Sequence, residues 1–109
     1  MAVNYKVLGQ LNPTANALTT VYTVPAATQA VISTVTVCNQ ANVATTFRLA
    51  VQPANAAINA EHYVNYDTNL PANDTVALTL GLTLGNTDVI SANVPTSTVS
   101  VSVFGSEIS

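Results

Sequence analysis

Hydrophobic and polar residues alternate with period 2 along nearly the whole chain, the signature of half-buried β-strands rather than helices. The stretch 45–52 is the clearest: Phe47, Leu49 and Val51 fall on one face, and Thr46, Arg48, Ala50 and Gln52 on the other. In 98–103, Val99, Val101 and Val103 alternate strictly with serines. In 74–80, Val76, Leu78 and Leu80 are placed inward. The same reading predicts strands over 5–11, 18–24, 30–39, 62–70 and 87–92. Stretch 30–39 sets Val31, Val35 and Val37 against Ile32 and Cys38 on the opposite face, which predicts a central strand covered on both sides.

Turn signals separate these stretches. Asn12-Pro13, Val24-Pro25, Gln52-Pro53, Leu70-Pro71, Leu84-Gly85-Asn86 and Val94-Pro95 punctuate the chain, often about ten residues apart. Proline cannot donate to a sheet ladder, so each marks a strand end. The Ala-rich segment 54–60 is read as a loop, because two Asn interrupt it and it is too short for an autonomous helix. About eight short antiparallel strands in 109 residues predict an all-β fold, a single β-sandwich domain over 1–109. A jelly-roll-like order is preferred. An immunoglobulin-like order is the alternative, although its Cys, Trp and Cys hallmark is missing from a chain with one Cys and no Trp.

Composition changes the picture on one point. Only 6% of residues are charged, against about 25% in ordinary domains. Val, Ala and Thr occur 16 times each and Asn 12 times. The net charge is −3, and Lys6 and Arg48 are the two cations. Two cations cannot neutralise a phosphate backbone or hold an anionic membrane surface, so neither nucleic acid nor membrane is expected as a partner. No apolar run approaches the ~20 residues of a spanning helix. The segment beginning Met1-Ala2-Val3 lacks the pattern of a signal peptide. A reducing cytoplasm is the expected site of synthesis.

No catalytic, cofactor-binding or metal-binding residues are assigned. His62, the lone histidine, belongs to no motif that supplies a nucleophile and an orienting group, and reads as a polar residue at a loop–strand junction. Cys38 reads as a small buried hydrophobe, since a reactive thiolate needs a nearby cation. Asp67, Asp74 and Asp88 sit at turns without calcium-loop spacing and read as turn-capping groups. A cupin-like metalloenzyme is excluded by the single His. Arg48, pointing away from the core, is expected to pair with an acid across the sheet in preference to the alternative, a neighbouring chain.

Thr, Asn, Ser, Gln and Ala therefore cover a surface where Lys and Glu are usual. Interfaces are depleted in Lys, Glu and Asp, and short side chains lose little entropy when immobilised. Open sheet edges are normally guarded by charge; here prolines and loops, or neighbouring subunits, must cover them. The alternative is a monomer kept soluble by hydroxyl and amide groups. Candidate interface residues are Tyr5, Lys6, Arg48, Tyr63, Tyr66, Phe104 and Ile108, with Tyr22 as a further aromatic anchor and the two chain ends as contact arms.

Four segments carry a family likeness through their order and spacing: Leu18-Thr19-Thr20-Val21-Tyr22-Thr23-Val24-Pro25-Ala26; Thr46-Phe47-Arg48-Leu49-Ala50-Val51; Tyr66-Asp67-Thr68-Asn69-Leu70-Pro71-Ala72-Asn73-Asp74-Thr75; and Phe104-Gly105-Ser106-Glu107-Ile108. Nearly end to end, the chain resembles a family of small virion structural proteins of tailed bacteriophages, of the cyanophage and aquatic phage type. The resemblance implies a non-enzymatic particle component without cofactors, assembled in the bacterial host cytoplasm and residing in the virion. The leading expectation is a capsid decoration or cement protein, a small homo-oligomer such as a trimer bound to the major capsid protein or other virion proteins. The alternative is a tail or fibre-associated module that binds host-surface glycan.

Overall fold

A computed structural model describes residues 3–79 and 81–109. Its nine strands are β1 (Val3–Leu11), β2 (Thr19–Thr23), β3 (Gln29–Asn39), β4 (Thr45–Gln52), β5 (Tyr63–Leu70), β6 (Thr75–Leu78), β7 (Leu82–Leu84), β8 (Val89–Asn93) and β9 (Val99–Ile108). All pairings are antiparallel. One sheet runs β1-β9-β3-β6, with β7 also on β3; the other runs β2-β8-β4-β5. β6 pairs with Val35–Cys38 and β7 with Ala30–Ile32, so the two occupy one strand position. Gly81, at φ +63°, lies in the break between them. The third residue of the inward series Val76, Leu78 and Leu80 lies outside the described residues, while Val76 and Leu78 pack against the core as expected.

With β6 and β7 counted together, the strands pair first with last and so inward: β1 with β9, β2 with β8, β3 with β6/β7, and β4 with β5. That nested pairing is the jelly roll, a double-layered antiparallel ribbon rolled on itself. The immunoglobulin-like order is not adopted. Ile32, Val35, Val37, Val101 and Val103 of one sheet meet Phe47, Leu49, Leu70 and Ile90 of the other in a core where each is nearly or fully buried.

One strand departs from strict alternation in a way that moves side chains. In β3 an extra residue, Ser33, is accommodated between Ile32 and Thr34. The bulge shifts the parity, so Ala30, Ile32, Val35 and Val37 all face inward. The expectation that β3 is covered on both faces is thereby corrected: Val31 is exposed, and Cys38 is half-buried on the outer face rather than in the core.

β8 is covered on both faces, as is the second half of β4, where Ala50 and Gln52, expected on an open polar face, are buried on the outer side. Ile90 and Ala92 face the core, while Val89 and Ser91 are buried on the outside. Their cover is the 53–62 connection, which is more ordered than a loop. It opens and closes with 3-10 turns, Pro53–Asn55 and Ala60–His62, and folds over β4 and β8. Gln52 fastens it by accepting a hydrogen bond from Ser91 Oγ (2.6 Å) and donating Nε2–H to the Ala56 carbonyl (2.9 Å). Asp88 adds a second fastening, accepting from the backbone N–H groups of Ala54 and Gly85, each at 2.8 Å.

The edges are protected by irregularity instead of charge. Extra residues bulge from the edge strands β1 (at Leu8), β2 (at Val21) and β5 (twice), and the fourth edge is broken between β6 and β7. A bulged or interrupted edge is a poor template for another strand. Neither prolines nor a neighbouring chain is needed to explain it.

Candidate functional site

The candidate interface residues separate onto opposite faces of the sandwich. On the outer face of the first sheet, alternation on β1 points Val3, Tyr5 and Val7 outward. They are 45%, 85% and 48% exposed. Cross-strand register continues the face. Val3 lies beside Ile108, Tyr5 beside Ser106 and then Val31, and Val7 beside Phe104 and then Thr34. Tyr5, Phe104 and Ile108 are thus brought together, and Val3, Val7 and Val31 join them. None of these positions carries charge. Of the two expected contact arms, residues 3–6 and 105–108 are paired with each other as strands, while Met1 and Ala2 lie outside the described residues.

Lys6 belongs to the other side of β1. Its Nζ lies 2.8 Å from Glu107 Oε1, and Tyr22 Oη donates to Glu107 Oε2 at 2.7 Å. Tyr22 is buried, so it is part of the core and not an anchor for a partner. The Lys6 ammonium, then the Tyr22 hydroxyl, hold the Glu107 carboxyl below the usual range. Burial, reinforced by the adjacent carboxylate, pushes the Tyr22 phenol well above its ordinary value.

Arg48, Tyr63 and Tyr66 form a second cluster on the outer face of the other sheet. A bulge in β5 sets two residues, Tyr66 and Asp67, against Arg48 alone. Asp67 takes φ +49°, a left-handed conformation that Asp tolerates better than most residues. Both consecutive side chains therefore reach the same guanidinium. Arg48 Nε donates to Asp67 Oδ1 at 2.7 Å and Nη2 to Oδ2 at 3.3 Å. Its Cζ lies 4.0 Å from the Tyr66 ring centre. Tyr63 meets Tyr66 edge-to-face, with centroids 5.0 Å apart. The expected cross-sheet acid for Arg48 is Asp67. Their hydrogen bond raises the Arg48 pKa and lowers that of Asp67.

This ridge divides two depressions. On one side Ile58, Asn59, Ala60, Tyr63 and Tyr66 line a concavity of about 590 Å³. On the other, Asn16, Thr46, Arg48, Asp67, Asn93 and Pro95 line a polar cleft of about 220 Å³. The sequence offered no sign of Asn16 or Asn93 as neighbours of Arg48, or of Ile58 beside Tyr63 and Tyr66, since tertiary structure alone brings them there.

His62, Asp74 and Asp88 serve the fold. His62 Nδ1 accepts from the Asn59 N–H at the 3-10 turn before β5, at the junction expected for it. Asp74 and Asp88 accept backbone N–H groups at turns. Among the described residues, no three His, Cys, Asp or Glu side chains converge as a metal site, and no helix is long and apolar enough to cross a membrane. Comparisons with protein-family models, curated proteins and solved structures find no match for this chain.

Proposed function

We propose that this chain is a non-enzymatic structural component of a tailed phage particle, a decoration protein that cements the capsid lattice. The observation that carries the reading is the uncharged outer face of β1, β9 and β3, where Val3, Tyr5, Val7 and Val31 are exposed beside Phe104 and Ile108. Exposed apolar surface gathered on one face marks an interaction site, whereas scattered apolar residues do not. The family resemblance of the sequence and the scarcity of charge support the same reading.

Magnitude argues for several copies. Three strands at about 4.8 Å spacing and six residues at about 3.3 Å make a footprint on the order of 300 Å². A standard interface buries about 800 Å² on each partner. One copy alone would hold weakly, whereas a trimer seated where capsomers meet engages three such faces at once and gains avidity. The partners in this reading are the major capsid protein and other copies of the chain. Contact across capsomer junctions would resist outward pressure from the packaged genome.

The test is quantitative mass spectrometry of purified virions, with the major capsid protein as internal standard. A copy ratio within a few-fold of that protein supports the head lattice. A ratio far below it moves the chain to the tail or a vertex, and absence from the virion overturns the proposal. Tyr5→Asp is expected to lower occupancy on particles without lowering the thermal stability of the isolated domain, since Tyr5 is 85% exposed. Full occupancy by that variant would remove this face from the interface.

A further inference from the structure

We infer that the opposite face carries a binding site for a neutral oligosaccharide, centred on Tyr66, Arg48 and Asp67. The inference goes beyond the assembly reading and does not depend on where in a particle the chain sits.

Three features specify the ligand's chemistry. The first is charge balance. Arg48 and Asp67 are paired at 2.7 Å, and among the described residues no other charged side chain lines either depression. A site with no net charge gives no advantage to a phosphate, a polyanion or a cation. The second is amphipathic lining. The larger depression presents the Tyr63 and Tyr66 rings with Ile58 and Ala60, and the smaller one presents Asn16, Thr46 and Asn93 around the ion pair. A ligand spanning both must offer apolar C–H faces and hydroxyl edges together, which is the constitution of a sugar chain. The third is preorganisation. The guanidinium is held by Asp67 on one side and by the Tyr66 ring on the other. Asp67 engages two of its five donors, which leaves planar donors in a fixed orientation. The Asp67 carboxylate retains acceptor capacity beside them. Paired donors and acceptors of this kind match adjacent hydroxyls on a ring.

The β5 bulge is what builds the site. In a regular strand Tyr66 and Asp67 would point to opposite faces. With the bulge, aromatic ring and carboxylate share one side, so the Tyr66 ring borders one depression and the Arg48–Asp67 pair the other. The site lies on the sheet opposite the apolar β1-β9-β3 face, so one chain can engage both surfaces at once.

The experiment is saturation-transfer NMR on the full chain with maltohexaose, cellohexaose, xylohexaose, mannohexaose and chitohexaose, each at about 10 mM to detect weak binding. At least one is expected to receive transfer, with backbone shifts confined to residues around 16, 46–48, 58–67 and 93. Tyr66→Ala is expected to weaken that binding about tenfold, the loss of one stacking surface. Tyr66→Phe keeps the ring and is expected to bind within about twofold of the parent. Arg48→Gln keeps a planar amide but unpairs Asp67, and should weaken binding without altering the strand resonances of β3 and β9. Tyr5→Ala, on the far face, should bind as the parent does. No transfer to any of the five sugars overturns the proposal. So does binding that survives Tyr66→Ala and Arg48→Gln in folded protein. Binding of a pool of short neutral peptides at these residues, with none of the sugars, would assign the surface to a protein partner and equally overturn it.

Discussion

Glu107 ties three strands together through one carboxylate, receiving Lys6 from β1 and the Tyr22 hydroxyl from β2 while standing on β9. Its pKa is depressed, so its contribution is fully present above the ordinary Glu value of about 4.3 and is lost as pH falls through the lower folded value. Stability is expected to fall on acidification below about pH 4, and Glu107→Gln should flatten that limb in urea titrations taken at several pH values. Asp67→Asn should leave it nearly unchanged, because its ion pair is exposed and such pairs contribute little. Asn39 makes a different kind of tie. Only 1% exposed, it donates to the Val43 and Pro71 carbonyls and accepts from the Ala41 N–H and the Thr98 hydroxyl. Asn39→Ala would leave those loop groups unpaired at one end of the sandwich. A loss of about 3 kcal/mol is expected by chemical denaturation. Neither role was legible in the sequence. Asn39 there ends a strand, and Lys6 and Glu107 stand a hundred positions apart.

At the scale of elements, the bulges decide what each strand presents. Ser33 lets β3 bury Ile32 and Val35 together although they are three residues apart, which strict alternation forbids. Opposite it, β9 carries Gly105, where a Cβ would run into the Val31 carbonyl oxygen and force two central strands apart. Gly105→Ala is expected to cost about 2 kcal/mol, the range of overpacking in a closed interior. Gly85→Ala is the matched comparison, since its Cβ would lie 3.7 Å from Asp88 Oδ2 in ordinary contact, and it should be close to neutral. Equal effects at the two positions would show that the β3–β9 approach is not the constraint. The predicted strands 45–52 and 98–103 needed little correction because their pairing with β8 and with β3 is regular there. The strand at 62–70 was found, but its two bulges were not, and they are what turn Tyr66 and Asp67 toward Arg48.

The whole molecule is held by its least local pairing. β1 lies against β9, joining Val3 to Ile108, and every other pair is nested inside that closure. Loop-closure entropy must be met before these contacts form, so refolding is expected in milliseconds to seconds, as for β-sandwiches of high contact order. Stopped-flow fluorescence of the tyrosines checks this; folding in microseconds would mean that the nested closure is not limiting. The same architecture sorts the candidate interface residues, apart from Lys6, into two surfaces facing away from each other. One is apolar and built from the paired chain ends. The other is amphipathic and built on β4 and β5.

What the sequence alone determined is the class of fold. Period-2 alternation is a local property of extended backbone, and the turn residues limit each strand from within a few positions. An all-β sandwich, the locations of eight of the nine strands (not β7) and the uncharged character of the surface follow from that. Tertiary structure alone decided the jelly-roll order, the parity shift in β3, the cover over β8 and the convergence of Tyr66 and Asp67 on Arg48. Each depends on pairing between residues distant along the chain. One added residue in a strand turns every following side chain to the other face, and an alternating pattern by itself does not reveal where the extra residue will be absorbed.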